Sequence, residues 1–488
     1  MSQVAPGHLE RGRRHRWLVL AICCLSLFIV GIDVTIVNVA LPSIGRDLHA
    51  PVSGLQWTVD AYSIVVASFL MLSGATGDRV GRRRTFQTGL ALFTLGSLLC
   101  SLAPGLGWLV AFRMLQALGG SMLNPVAMSI ITNTFTDPAE RARAIGVWGS
   151  VFGMSMALGP IAGGALVSSV GWRGIFWVNI PVGLAAIALT AVFVPESRAP
   201  RARRVDPVGQ VLVIAGLAAL TYAIIEGPSA GWTSARILGC FGLAAAALIG
   251  LAGYEPRREE PLLDLRFFRS VPFSGATVTA VCAFAALGGF LFLNTLYLQE
   301  VRGYSALHAG LYTLPMAAMT VLLSPVSGRI VAARGPRLPT VVAGVATLAS
   351  GLMLTRLARD TSSGYLILSY VIFGIGSGLV NPPITNAAVS GMPVSQAGVA
   401  AGIASTSRQV GTALGVAVAG SAAISALHGP FRLGFAGASH VGWWIIAGCG
   451  AAIFLLGLVT SGRWARGTAE RAAALLIPPE AKIPVSAP

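Results

Sequence analysis

The chain is a succession of apolar runs, each long enough to cross a lipid bilayer, separated by short polar connections. A spanning helix needs about 20 apolar residues, and lipid forces its backbone groups to be satisfied within the segment. Fourteen runs meet that requirement, at roughly 17–41, 56–75, 85–103, 107–131, 144–169, 174–194, 208–225, 236–254, 273–297, 308–326, 338–356, 364–383, 398–425 and 441–461. The first run, Trp17 to Leu41, follows Arg11, Arg13, Arg14 and Arg16 in the manner of a signal peptide. At about 25 residues it is too long for a signal core and suits an uncleaved span. Only 11% of the 488 residues are charged, against about 25% in a soluble domain. So small a polar complement does not cover a water-facing surface, and much of the surface has to face lipid.

The net charge of +16 raises the question of nucleic acid. The basic residues are instead clustered in the connections between spans. With both termini placed in the cytoplasm, the inner segments hold 25 Lys and Arg and the outer loops seven. That bias over short loops sets the orientation, a multi-pass protein of the cytoplasmic membrane. Arg113 and Arg408 remain inside spans. Cys23, Cys24, Cys100, Cys240, Cys282 and Cys449 all fall in apolar runs without metal-ligand spacing and read as packing residues.

The chain repeats itself. Residues 119–125, Gly-Gly-Ser-Met-Leu-Asn-Pro, return at 376–382 as Gly-Ser-Gly-Leu-Val-Asn-Pro. In the following run Gly146, Ser155 and Gly159 are matched by Gly402, Gly411 and Gly415. Spans 4 and 5 therefore correspond to spans 12 and 13, and spans 1–6 to spans 9–14. The expected fold is an all-α integral membrane protein of 14 transmembrane helices, two six-helix pseudo-repeat bundles plus two inserted central helices. Parallel repeats of this kind build secondary transporters, with the substrate site between the halves. The expected division is a cytoplasmic N-terminal segment (1–16), an N-terminal bundle (17–194), a linker and two-helix insert (195–272), a C-terminal bundle (273–461) and a cytoplasmic tail (462–488). The tail is Ala/Pro-rich and is expected to be partly disordered.

Four segments carry candidate function. After span 2 comes Gly74-Ala-Thr-Gly-Asp78-Arg79-Val-Gly81-Arg82-Arg83-Arg84. Its glycines permit a tight turn, and Asp78 among arginines can latch to them or cap a helix. The plainer reading is a positive-inside loop. Span 4 carries Arg113, Gln116, Gly119 and Gly120, and a charge inside the bilayer is rarely left unpaired. Span 5 carries Gly146, Ser155, Gly159, Pro160, Gly163 and Gly164. Glycines four apart share a helix face and allow close contact, and Pro160 removes a backbone hydrogen bond. A generic glycine zipper would look the same. Span 1 carries Asp33, Thr35 and Asn38, and span 2 carries Asp60 and Tyr62.

The loop after span 2 is similar to the signature loop of the major facilitator superfamily; a decayed copy, Gly328 to Arg337, has Ala332 at the acid's position. The span 4 run resembles the superfamily's Arg-x-x-Gln-Gly-x-Gly motif, with Ala117 for a glycine, and in the family that arginine is implicated in proton transfer. The span 5 run resembles the motif of its antiporter branches, with Ser155 for a glycine, which implies export rather than uptake. Together with Asp33 to Pro42, Trp57 to Tyr62 and Gly171 to Gly183, these runs resemble the fourteen-span drug:proton antiporter family over residues 17 to 461.

Asp33 is the expected proton carrier, about 12 Å from the outer end of span 1, and Arg113 lies about 9 Å from that of span 4. Similar depths allow the two to pair. Burial favours a neutral carboxyl and a guanidinium favours a charged one, opposing influences suited to proton exchange. Asp60, nearer the outer mouth, could receive protons, attract cationic substrates or be a solvated end residue. Asn38, Tyr62, Gln116, Asn124, Asn294, Asn381 and Arg408 are candidates for a substrate cavity, although Asn124, Asn294 and Asn381, each taken alone, read more simply as helix–helix hydrogen bonds. No intramembrane acid of the second half suits Arg408, which could bind a substrate anion or a backbone carbonyl.

There is no Walker-type loop, nucleophile elbow or metal cluster in the sequence. The expectation is a proton-coupled antiporter exporting drug-like or antibiotic molecules by alternating access, not an enzyme, with no cofactor. Its partners would be a small-molecule substrate, protons and lipid, not nucleic acid, and a monomer is expected. The alternatives are an exporter dedicated to one metabolite or siderophore, and a membrane receptor that binds without transporting.

Overall fold

The computed structural model describes residues 6–199, 206–258, 261–390, 392, 397–460 and 462–476. Among them every regular element is helical. The long helices are α1 (Pro6–Asp47), α2 (Val52–Val80), α3 (Arg82–Ser101), α4 (Leu106–Thr134) and α5 (Pro138–Val170). Next come a single turn, α6 (Gly174–Trp177), then α7 (Asn179–Phe193), α8 (Pro207–Ala230) and α9 (Ala235–Tyr254). The remainder are α10 (Val271–Leu296), α11 (Ala306–Tyr312), α12 (Leu314–Arg334), α13 (Arg337–Leu354), α14 (Ser363–Val389), α15 (Ala397–Ser425), α16 (Phe431–Val459) and α17 (Arg463–Leu476).

Among the described residues, twelve helices are long and apolar enough to cross a membrane, so the expected count of fourteen is not reached on that measure. The expected spans 3 and 13 do form helices, α3 and α15. Arg82, Arg83 and Arg84 open α3, and Thr, Ser and Gly recur along both helices, with Arg408 inside α15. Those residues dilute the apolar character without stopping the helix. Within the tail, residues 463–476 form α17, whose buried face is Ala465, Thr468, Ala469, Ala472 and Leu476. Residues 477–488 of the tail, 1–5 of the N-terminal segment, and 200–205 and 259–260 of the linker and insert lie outside the described residues.

Local chemistry sets the helix ends. Asp137 accepts from the Glu140 amide with Pro138 in the first turn, and Asp206 accepts from Gly209 ahead of α8. The acceptor satisfies one free amide of the first turn, and the proline that follows removes another. Ser234, Ser305 and Ser362 cap α9, α11 and α14 in the same way. Gly81 joins α2 to α3 at φ 127°, a conformation that strains any residue with a Cβ.

The chain packs as two compact units, Met1–Val205 with Asn294–Ala317, and Asp206–Leu293 with Ala318–Pro488. In the first, glycines bring helices to backbone contact. A Cβ on Gly96 would lie 2.6 Å from the Gln116 backbone of α4, and one on Gly163 would lie 2.7 Å from Ile36 of α1. A Cβ on Gly159 would overlap Thr35. In a bilayer, where lipid removes the hydrophobic drive, such close approach supplies the packing energy. Phe86, Phe93, Leu123, Ile131 and Phe135 fill the space behind.

The stretch 294–317 belongs to this same unit. The Gln299 amide donates to the Val39 carbonyl at 2.8 Å. A Cβ on Gly164 would meet the Leu307 Cα at 2.6 Å, and one on Gly310 would overlap the Pro160 carbonyl. Gly164 and Pro160 of α5 are therefore covered by α11.

The second unit repeats the device. A Cβ on Gly411 would lie 2.5 Å from the Val281 carbonyl of α10, and one on Gly415 would overlap Ala285. Gly415 is the repeat partner of Gly159, and each lays its helix on the first helix of its own repeat. Gly344, Gly351 and Gly450 bring α13 and α16 together. Phe290 stacks on Phe373 at 4.2 Å and meets Trp443 edge-on at 5.7 Å.

Candidate functional site

The first unit encloses one charged network. Asp33 of α1 is 0% exposed and Arg113 of α4 is 2% exposed, with Nη1 to Oδ2 at 2.6 Å. Gln116 is three residues beyond Arg113 and so shares its helix face. Its Oε1 accepts from Arg113 Nη1 at 2.7 Å and its Nε2 donates to Asp33 Oδ1 at 2.8 Å. Asn179, at the start of α7, donates to Asp33 Oδ1 at 3.2 Å and to Ser97 Oγ at 3.0 Å. Ser97 of α3 also receives Gln116 Nε2 at 3.3 Å and donates to the Phe176 carbonyl at 3.1 Å. Arg113 Nε donates to the Thr58 carbonyl at 3.3 Å, and its guanidinium lies 4.3 Å from the Tyr62 ring centroid. The Asp33 carboxylate thus holds a bound cation and two amide donors. Such a network stabilises a buried charge through its satisfied members, and here one acceptor, Asn179 Oδ1, is left without a partner.

Six helical elements meet here, α1 to α4, α6 and α7, which explains what sequence reasoning overlooked. Ser97, Thr58 and Asn179 are single polar residues in apolar runs, each with an ordinary helix-bridging reading. Asn179 stood inside a motif, but only the turn at α6 aims it at Asp33.

Asp60 stands apart from the network. It is 0% exposed, and neither carboxylate oxygen has a hydrogen-bond partner. That corrects its reading as a solvated end residue. The Tyr62 hydroxyl is likewise buried without a partner, 2.7 Å from where a Cβ on Gly120 would sit. Asn38 donates to the Val34 carbonyl of its own helix at 2.9 Å, leaving its Oδ1 without a partner. Asn124 also keeps an unpartnered Oδ1. Asn294 is 2% exposed, on the part of α10 that packs with the first unit.

In the second unit Arg408 donates to Ser405 Oγ at 3.2 Å and to Thr385 Oγ1 at 2.6 Å. Asn381 lies one turn before Thr385 with a free Oδ1. The structure thus brings Asp33, Arg113, Gln116 and Tyr62 together in one unit, and Asn381 and Arg408 on neighbouring helices of the other.

The loop after α2 is tied down more firmly than its sequence suggested. Asp78 accepts from Arg82 Nε at 3.1 Å and Nη2 at 2.8 Å, the latch rather than a cap. Glu196, beyond α7, was not anticipated. Its Oε1 accepts from the Arg83 amide at 3.1 Å and lies 2.6 Å from a Cβ built on Gly81. The amides of Arg82 and Ala199 donate to the carbonyls of Ser197 and Asp78. Gly74 lies 3.7 Å from Pro125 by the same construction, and Arg79 is in the last turn of α2. Gly146 of α5 has open space around it. Among the described residues no group of His, Cys, Asp and Glu is placed to hold a metal ion.

A family model described as Major Facilitator Superfamily matches residues 23–416. The multidrug resistance protein Stp of Mycobacterium tuberculosis is 39% identical over 408 residues, which is 84% of this chain and 76% of that protein. The tetracenomycin C resistance and export protein of Streptomyces glaucescens is 39% identical over 417 residues, 85% of this chain and 77% of that protein. Among solved structures, a bacterial homologue of the human drug peptide transporters PepT1 and PepT2 superposes with TM-score 0.64 at 14% identity. That match covers 95% of this chain and 100% of the other, and bears on the fold alone.

Proposed function

This chain belongs to the major facilitator superfamily, and on that premise we propose that it is a proton-coupled antiporter. It exports drug-like or antibiotic molecules across the cytoplasmic membrane by alternating access. In this reading α3 and α15 also cross the bilayer, making fourteen spans, both termini are cytoplasmic, and two six-helix bundles rock with the α8–α9 pair inserted between them. The protein works as a monomer.

The observation that carries the reading is the Asp33–Arg113 pair, a carboxylate buried in a membrane protein with its cation at 2.6 Å. Buried ionisable residues in spans are costly and mark ion pathways. Asp33 takes up a proton when the site opens outward, and Arg113 then relies on Gln116, Thr58 and the Tyr62 ring. On opening inward the proton leaves and the pair reforms. Asp60, buried without a partner, is the second proton acceptor. The packing of α11 on Gly164 and Pro160 acts as the seal that parts in each cycle, and the Asp78–Arg82 latch with Glu196 holds the inner side. Asn38, Asn124, Asn294 and Asn381 face substrate.

A narrow cargo is the second reading, favoured by a relative named for tetracenomycin C. A ΔpH-sensitive dye in everted vesicles tests both. Drugs of many scaffolds that collapse ΔpH support the broad reading, and a single active scaffold supports the narrow one. Collapse that persists in Asp33→Asn sinks the proposed carrier.

A further inference from the structure

Arg408 is a permanent cation near the middle of α15, eleven residues from Ala397 and seventeen from Ser425, or about 16 and 25 Å from the two ends at 1.5 Å per residue. The sequence gives it no counter-charge nearby. From Ser270 to Gly462 the only acids are Glu300 and Asp360. Glu300 lies in the π-helical turn that packs with the other unit, and Asp360 lies in the loop between α13 and α14. The other described acids of this unit, Asp206, Glu226, Glu255, Asp264 and Glu470, sit near or beyond the ends of α8 and α9 or on α17. No ion pair among the described residues includes Arg408.

Arg113 makes the contrast, since Asp33 neutralises it and it is sealed at 2% exposure. Arg408 is only half buried, and Thr385, which it touches, is exposed. The partners found are hydroxyls rather than a backbone carbonyl. Two of five guanidinium donors are used, and Nε has no partner. A guanidinium inside a span is costly to leave facing lipid, so it faces the bundle interior or a water-filled cavity. In a low-dielectric setting a lone cation of this kind concentrates anions.

We propose that Arg408 is the recognition point for an anionic group on the exported molecule, a carboxylate, phenolate or enolate. The cargo class is then organic anions rather than cations. The free donors of Arg408 take the anion in the planar, directional way that guanidinium favours. Thr385 fixes the guanidinium, and the free Oδ1 of Asn381 accepts a hydroxyl beside the anion. This inference rests on the exporter reading and on α15 crossing the bilayer.

The test uses full-length protein in proteoliposomes with two xanthene dyes of similar size, anionic fluorescein and cationic rhodamine 123. Binding is followed by anisotropy and transport by ΔpH-driven flux. Wild type is expected to bind and move fluorescein in preference. Arg408→Gln should weaken fluorescein binding about tenfold to a hundredfold, the effect of a hydrogen bond to a charged group. Arg408→Lys should restore part of it, which excludes misfolding as the cause. Transport of rhodamine 123 without fluorescein overturns the assignment of Arg408 and leaves the exporter intact. Fluorescein preference that survives Arg408→Gln also overturns it. If neither dye binds or moves, the anion assignment of Arg408 falls, while the exporter reading is decided separately by the ΔpH assay across many scaffolds.

Discussion

Neutralising Arg113 isolates the buried charge. In Arg113→Gln the Asp33 carboxylate stays at a fully buried position, and only the amides of Gln116 and Asn179 donate to it. Breaking a buried ion pair by removing one partner costs about 3–5 kcal/mol, and the variant is expected near the upper end. Asp33→Asn leaves Arg113 with the Gln116 and Thr58 oxygens and the Tyr62 ring, so its cost is expected near about 3 kcal/mol. The double variant removes both charges together. It should be more stable than the sum of the single losses by roughly 2–3 kcal/mol, the size of a contacting pair's coupling. Thermal unfolding of all four proteins in nanodiscs gives the cycle, and substrate-driven proton flux in vesicles gives the function. Additivity within about 0.5 kcal/mol would refute an energetic pair. Proton-coupled efflux at the wild-type rate in Asp33→Asn would refute its role as carrier whatever the stability.

Asp60→Asn replaces a buried carboxylate that has no partner, so the variant should unfold at a temperature no lower than wild type while losing proton-coupled flux; a marked drop in melting temperature would show an overlooked partner. Gly159→Leu sets a side chain against Thr35 and should cost about 1–3 kcal/mol or more from overpacking, read as lost yield and melting temperature; unchanged stability would mean that α1 and α5 are not in backbone contact. Gly81→Ala meets both φ 127° and the Glu196 carboxylate and should destabilise by about 1–3 kcal/mol. Glu196→Ala in the same background should relieve part of that loss, whereas no relief would dissociate Glu196 from the turn. Cysteines at Gly164→Cys and Leu307→Cys should crosslink and stop transport until reduced, and crosslinked protein that still exports would show that α5 and α11 never part.

The sequence made the helices legible because lipid leaves an apolar run few other folds. It also made the Asp33–Arg113 pair legible, because two opposite charges at similar depth in apolar surroundings have strong reason to meet. α3 and α15 were found as helices by pattern, although both contain enough Gly, Ser, Thr and Arg to fall below a strict apolarity test. Ser97, Asn179 and Glu196 were not legible as partners of the motifs they serve. Each is an unremarkable polar residue whose role depends on a neighbour 80 or more positions away in sequence, such as Asp33 for Asn179 and Arg83 for Glu196. α17 was hidden by alanine, which fits a helix as readily as a loose tail. Its small-residue stripe becomes informative only once a surface is found beneath it.

The stretch from Asn294 to Ala317 packs with the first unit although the internal repeat assigns it to the second half. The sequence repeat and the packing therefore divide this protein at different places. A polypeptide ending at Val205 would contain a whole ancestral repeat, yet it would leave the Gly164 and Pro160 face of α5 without the backbone that covers it. Such a fragment is expected to be sticky and short-lived on its own, and supplying residues 206–488 as a second polypeptide should rescue it. The rescue would work by returning those few residues to that face, which makes the two halves co-dependent for folding well before either has a substrate to carry.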